Sequence, residues 1–340
     1  MPQALITRRG GDGYATVTFN VESTLSHKAI TSLSVARENL AATTVGDYAL
    51  FGGGYGSDGT SSELDVYNTS LIRTTPTTLS ERKSSPTATT VGDYALFGGG
   101  YSGGYLSTVD AYNKSLMRSI PTSLSAARSG LAATTVGNYA LFGGGGPSSV
   151  VDAYNSILVR STPTELSVAR NNLAATTVGN YALFGGGYNS GYLSTVDAYN
   201  ANLTRSTPTS LSAVRESLTA TTVGNYALFG GGSISNYHSS SAVDAYNTSL
   251  TRSTPTSLSA ARESLTATTV GNYALFGGGY NGSHLSTVDA YYVNDKVQVY
   301  PGTKYKLGSM TAEATSDSMQ MITTTAPITG YIKIKNATIN

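Results

Sequence analysis

One octapeptide, Asn-Tyr-Ala-Leu-Phe-Gly-Gly-Gly at 272–279, constrains this chain more than any other stretch, because it occurs six times with Asn or Asp at its head. Its phenylalanines, Phe51, Phe97, Phe142, Phe184, Phe229 and Phe276, stand 46, 45, 42, 45 and 47 residues apart. A fixed period in this range marks a repeat architecture, in which each unit buries its apolar face only against its neighbours. At 340 residues, length alone suggests two domains. The repeat overrides that prior, since one ring of repeats is one domain.

Each unit reads as four short strands. The first is like Leu265–Val270 and is followed by Gly271-Asn272, a two-residue hairpin turn in which glycine accepts a positive φ. The second, Tyr273–Phe276, is apolar on both faces and is expected to be covered on both. Three glycines then require a sharp turn or a close neighbour. A loop of variable length leads to a third strand like Thr287–Tyr291. The fourth is like Leu250–Thr254, closed by Pro76, Pro121, Pro163, Pro208 or Pro255. Proline suits an outer strand, which has no partner on its far side.

Four antiparallel strands every ~45 residues, with aromatic and glycine signatures, make a propeller blade. The Gly-Gly followed by a spaced Tyr resembles the kelch repeat over residues 23–293; a WD40 blade is excluded because the chain has no tryptophan. The tryptophan common late in kelch repeats is missing here, and Arg73, Arg118, Arg160, Arg205 and Arg252, with His27 in the N-terminal copy, stand near its place. The expected fold is all-β: a six-bladed kelch-like propeller.

Ser23–Arg37 lines up with Thr248–Arg262, so the chain enters the repeat at its last quarter. The sixth unit has three strands and no fourth after them. Residues 23–32 are therefore expected to complete the sixth blade and close the ring, because an open ring leaves two blade faces unsatisfied. Residues 1–20 form an N-terminal arm and strand, with Tyr14–Asn20 as the strand and Arg8-Arg9-Gly10-Gly11 as a flexible basic arm. The propeller covers 21–293. Residues 294–340 form a small β extension whose alternating runs at 296–300, 304–307 and 330–335 are able to pair with 14–19.

The variable loops after each triple glycine carry the candidate binding residues: Tyr55 and Asp58, Tyr101 and Tyr105, Tyr188, Asn189 and Tyr192, Asn236, Tyr237 and His238, and Tyr280, Asn281 and His284. Tyr, Ser, Gly and Asn are what antibody loops favour, and tyrosine faces stack on sugar rings. Loops at any glycine-rich turn share this composition, which is the plainer reading. The loops entering each blade carry Ser-x-x-Arg, with Arg37, Arg128, Arg170, Arg215 and Arg262, and Lys83 in the second copy. A ring of six cations is able to hold an anionic ligand. Six aspartates, Asp65, Asp110, Asp152, Asp197, Asp244 and Asp289, match them in number, and structural pairing is the stronger reading.

Charged residues are 12% of the chain and the net charge is +1, which steers it toward neither nucleic acid nor an anionic membrane. Cysteine is absent, so there is no thiolate metal site and no cysteine nucleophile. It also excludes the tyrosine–cysteine cross-link of the copper oxidases that share the kelch propeller. No apolar run approaches a membrane span. Residues 1–10 do not read as a secretory signal, since their apolar run is short and their arginines follow it; either the protein is not exported that way or a signal was removed. His238, His284 and Asp58 lack partners at metal-ligand spacing, and no metal or cofactor is expected. Asn68, Asn113, Asn247, Asn281 and Asn336 head Asn-x-Ser/Thr triplets, expected by chance in a chain this rich in Ser and Thr.

The termini, Ala4–Gly11 and Thr329–Lys335, resemble segments of bacteriophage tail-associated proteins. The resemblance implies a non-enzymatic module of a virion tail or an extracellular surface that binds a host-surface glycan or protein, with its termini meeting other tail proteins. A particle decoration protein, or a cytoplasmic kelch adaptor binding a peptide through the arginine ring, are the alternatives.

Overall fold

The computed structural model describes residues 30–235 and 238–293, together with the backbone of eight short strands in the two terminal regions. The chain forms two compact units. One comprises Ala29–Thr269 and Ala274–Tyr291; the other comprises Met1–Lys28, Val270–Tyr273 and Tyr292–Asn340.

The first unit is all-β and carries six blades of small antiparallel sheet, arranged as a β-propeller. In blade 3 the strands are Ala132–Val136, Tyr139–Gly143, Val151–Asn155 and Arg160–Ser161, paired in that order. Val136 faces Tyr139 across a two-residue turn whose first residue, Gly137, has φ 53°. The fourth strand is shorter than its sequence suggests. Leu158, like Leu71, Leu116, Leu203 and Leu250, stands before it at positive φ, and the Asn155 side chain accepts from the amides of Ile157 and Val159 to hold that turn. Four of these leucines set a contact against the strain, as Leu158 packs on the cluster of Val91, Leu96 and Phe142, while Leu71 is exposed. The sixth blade has three strands among the described residues, Thr266–Val270, Tyr273–Gly277 and Val288–Tyr292. Of residues 23–32, expected to complete it, 23–29 lie outside the described residues and 30–32 form no strand.

Blades 1 to 6 stack through one repeated interface, and the triple glycine explains it. In blade 4 the would-be Cβ of Gly185 lies 2.8 Å from the ring of Phe229 in blade 5, so only glycine leaves room for the ring. Gly186 and Gly187 follow at φ 69° and 109°, each against a backbone carbonyl, of Arg215 and Asn171. Around every such contact the core is apolar: Leu183, Val196, Leu211, Ala227, Phe229 and Tyr246 form one cluster across blades 4 and 5. First strands meet their neighbours through threonine hydroxyls, at 2.9 Å between Thr43 and Thr90 and 3.0 Å between Thr89 and Thr135. The expectation that the second strand is covered on both faces holds for blades 2 to 5, where Ala, Leu and Phe are all buried, and only in part for blades 1 and 6 at the ends of the series.

In the second unit, Ala15–Thr18 pairs with Leu5–Arg8 and with Ile332–Lys333, so the N-terminal strand does join the C-terminal region. Arg8 belongs to a strand, paired with Ala15, where the sequence suggested a flexible arm; the alternation in Leu5–Arg8 is too short to stand out beside the glycines that follow. Lys304–Leu307 pairs with Met310–Ala314 and that strand with Ala337–Ile339.

Candidate functional site

The six cations of the Ser-x-x-Arg loops are all buried at their side chains. Each meets the aspartate of the blade it enters. Arg37 reaches Asp65 at 2.8 Å, Lys83 reaches Asp110 at 3.2 Å, Arg170 reaches Asp197 at 2.7 Å and Arg262 reaches Asp289 at 2.6 Å. Arg128 and Arg215 bond Asp152 and Asp244 in the same way. The serine of the motif donates its amide to the same carboxylate, as Ser167 does to Asp197 at 3.1 Å. The arginines that open the short fourth strands supply a second cation: Arg205 donates to the other oxygen of Asp197 at 2.9 Å, and Arg73, Arg160 and Arg252 do so to Asp65, Asp152 and Asp244. This pairing was missed in the sequence, although the eight-residue spacing from Asp197 to Arg205 repeats in every blade that has both residues.

The electrostatics follow from that geometry. Burial pushes the Asp65 carboxyl up, but the Ser34 amide, Arg37, Arg73 and the Ser34 hydroxyl outweigh it, and its pKa lies below the ordinary carboxylate value. Burial draws the Arg128, Arg170 and Arg215 guanidinium values down against the pull of their aspartates. A cation so enclosed and so paired is not offered to a ligand, and the ring acts as a clamp between blades.

The loops after the triple glycine lie beside these linkers. Tyr55 bridges Glu38, Tyr101 bridges Ser84, Tyr188 bridges Asn171 and Tyr280 bridges Glu263. Each of those partners directly follows the buried cation, so the tyrosine loops and the linkers share one face. Every second blade carries the same device. In blades 2, 4 and 6 the loop folds back on itself and two rings meet edge to face: Tyr101 with Tyr105 at 6.2 Å, Tyr188 with Tyr192 at 5.4 Å, and Tyr280 with His284 at 5.5 Å. The turn between them is closed by one backbone bond, as from Asn189 N to the Gly191 carbonyl at 3.0 Å. Tyr55, Tyr101, Tyr105 and Tyr280 are exposed, while Tyr188, Asn189 and Tyr192 are half-buried.

The remaining loops are different. Blade 1 has a small hairpin, Tyr55–Gly56 with Gly59–Thr60, and Asp58 at its exposed tip. Blade 3 has almost no loop, and the Tyr105 ring lies on Gly146 there, 2.9 Å from its would-be Cβ. Blade 5 has a hairpin in which Ser235 Oγ meets His238 Nδ1 at 3.0 Å; Asn236 and Tyr237 lie outside the described residues. Neighbouring loops touch, with Thr60 Oγ 3.2 Å from Ser102 Oγ. His238 and His284 stand on different loops, each with a partner of its own and neither with the other. In sequence the aromatic clasp is a Tyr-x-x-x-Tyr or Tyr-x-x-x-His spacing at 101–105, 188–192 and 280–284, which does not by itself set these loops apart from the others.

The rigid parts and the exposed parts of this face are thus cleanly divided, with copied residues beneath and varied aromatic loops above. Compared with known proteins, the chain matches no family model and no curated protein.

Proposed function

We propose that this chain is a non-catalytic binding module, a kelch-type propeller of a bacteriophage tail, that holds a host-surface glycan on the loops following each Gly-Gly-Gly. The observation that carries the reading is the aromatic clasp repeated on blades 2, 4 and 6, with Tyr101, Tyr105 and Tyr280 exposed. A pyranose presents an apolar C–H face and a rim of hydroxyls. An exposed tyrosine ring covers the first, and the neighbouring carboxylate of Glu263 and amide of Asn281 suit the second. The varied loops stand on a copied, buried framework, the arrangement in which binding residues are usually found. The burial of all six linker cations removes the support for a peptide-binding arginine ring.

Replacing Tyr188, Tyr192 and Tyr280 together by Ala tests the reading by glycan array and by binding to host cells. Loss of binding with an unchanged circular dichroism spectrum supports it. A wild-type protein that binds neither glycan nor cell, yet incorporates stably into a particle, would make it a decoration protein.

A further inference from the structure

The five interfaces between blades repeat one contact. Would-be Cβ atoms on Gly52, Gly98, Gly143 and Gly185 lie 2.8 Å from the rings of Phe97, Phe142, Phe184 and Phe229, and that on Gly230 lies 2.6 Å from Phe276. The series has two ends. At one, Gly277 is an empty seat among the described residues, where a Cβ meets only Val288 of its own sheet, at 3.6 Å. Val288 is 61% exposed, whereas Val151 and Val196 at the same place in blades 3 and 4 are fully buried. At the other end, Phe51 is only partly buried, and among the described residues it occupies no glycine seat.

The linkers point the same way. Each later linker bonds through its side chains to the blade it enters and through its backbone to the blade it leaves. Leu79 N donates to the Ser62 carbonyl at 2.9 Å and Lys83 N to Ser61 at 3.0 Å, and Leu258 and Arg262 repeat this with Ser241 and Ser240. The first linker makes the side-chain half alone: Ser34 and Arg37 bind Asp65, while the backbone bonds expected of Leu33 and Arg37 have no counterpart among the described residues.

We propose that these two ends join between molecules: the Gly277 face of one copy receives the Phe51 face and first linker of a second copy. The occupant is identified by the interface itself. A blade face of this repeat fills the same glycine seat five times within the chain, and among the described residues one such face is unused. The two faces are different surfaces, so association is head to tail, and it either closes into a ring of copies or continues as a filament. This does not depend on what the loops bind.

Two experiments on the full chain decide it. Light scattering across a concentration series is expected to show mass rising above the 35.2 kDa of one chain. Gly277→Ala is expected to weaken that association by about tenfold or more without lowering Tm, because its own sheet accommodates the methyl group while an incoming ring does not. The chain has no cysteine, which makes cross-linking clean. Phe51→Cys and Gly277→Cys chains, mixed with a short bis-maleimide, are expected to give a dimer that neither gives alone. A single mass of one chain at every concentration, or a double variant that links only within one chain, overturns the proposal; the second result shows the ring closing on itself.

Discussion

The ring of Phe229 stands 2.8 Å from the point where a side chain would begin on Gly185, one blade before it. Gly185 lies in a strand with no positive φ, so what it provides is space. Gly185→Ala is expected to overpack this interface and cost about 1–3 kcal/mol, read as a fall in Tm. Gly277→Ala adds the same methyl group where no ring of the described residues waits and is expected to leave Tm unchanged.

Asp197 is held by Arg170, Arg205 and the Ser167 amide, and it is fully buried. Asp197→Ala leaves two cations facing each other with no anion between them. The expected loss is about 3–5 kcal/mol by chemical denaturation. Asp289 carries one such cation among the described residues and is partly exposed, so Asp289→Ala is expected to cost less.

Lys83 is the odd member of the ring. It donates to Asp110 at 3.2 Å and to the Thr108 hydroxyl at 2.8 Å, whereas Arg215 reaches its aspartate and two backbone carbonyls, of Gly231 and Ala242. Lys83→Arg places a planar fork where five other blades have one, and a gain of about 1 kcal/mol is expected, visible as a higher Tm.

Alkaline pH is expected to unfold the protein from the tyrosines that lock each linker. Tyr112, Tyr154, Tyr199 and Tyr246 donate their hydroxyls to linker carbonyls, and burial first, then the neighbouring aspartate, pushes their pKa values up. Tyr291 is pushed up to about 12. The folded state therefore keeps protons that the unfolded chain gives up at about pH 10. Their stabilisation is complete below that pH and declines as pH rises through the folded values. Asp65 acts in the opposite sense: its lowered pKa contributes above about pH 4 and is lost as pH falls through its folded value. Denaturation midpoints between neutral pH and strong alkali, followed with tyrosinate absorbance, check the first. A Tyr246→Phe chain that titrates like the wild type would count against it.

Deletion of residues 1–34 is expected to unfold or aggregate the protein. It removes Ser34, which binds Asp65 through both amide and hydroxyl, and the Thr31 carbonyl that accepts from the Tyr67 hydroxyl. Unchanged melting and elution of the shortened chain would contradict this.

The blade is legible because its period and its glycines are written six times, and Gly137 or Gly271 at a hairpin has few alternatives. The pairing of six cations with six aspartates was legible by number alone. What was not legible is the second cation. Arg205 lies across the strand from Tyr199, and only the fold shows that its guanidinium reaches the Asp197 carboxylate beside that tyrosine. The positive φ of Leu158 was hidden because leucine at such a place is held by packing against residues of another blade, which no local pattern announces. The aromatic clasps escaped because Tyr101 and Tyr105 are four apart in a loop, where spacing has no fixed meaning until the turn between them is known.

The linkers make the sheet a poor guide to what behaves as one piece. Each strap that joins two blades is tied by its main chain to the blade behind it and by Ser, its Arg or Lys and the tyrosine's acceptor to the blade ahead, as Leu124–Arg128 shows. Cutting after a fourth strand severs every one of those ties at one end, so a lone sheet excised there would lose its anchor. Anyone lengthening or shortening this array should splice at the tips of the loops after the triple glycine, between the tyrosine that bridges a linker and the serines that hold the strap, where the chain already varies from copy to copy.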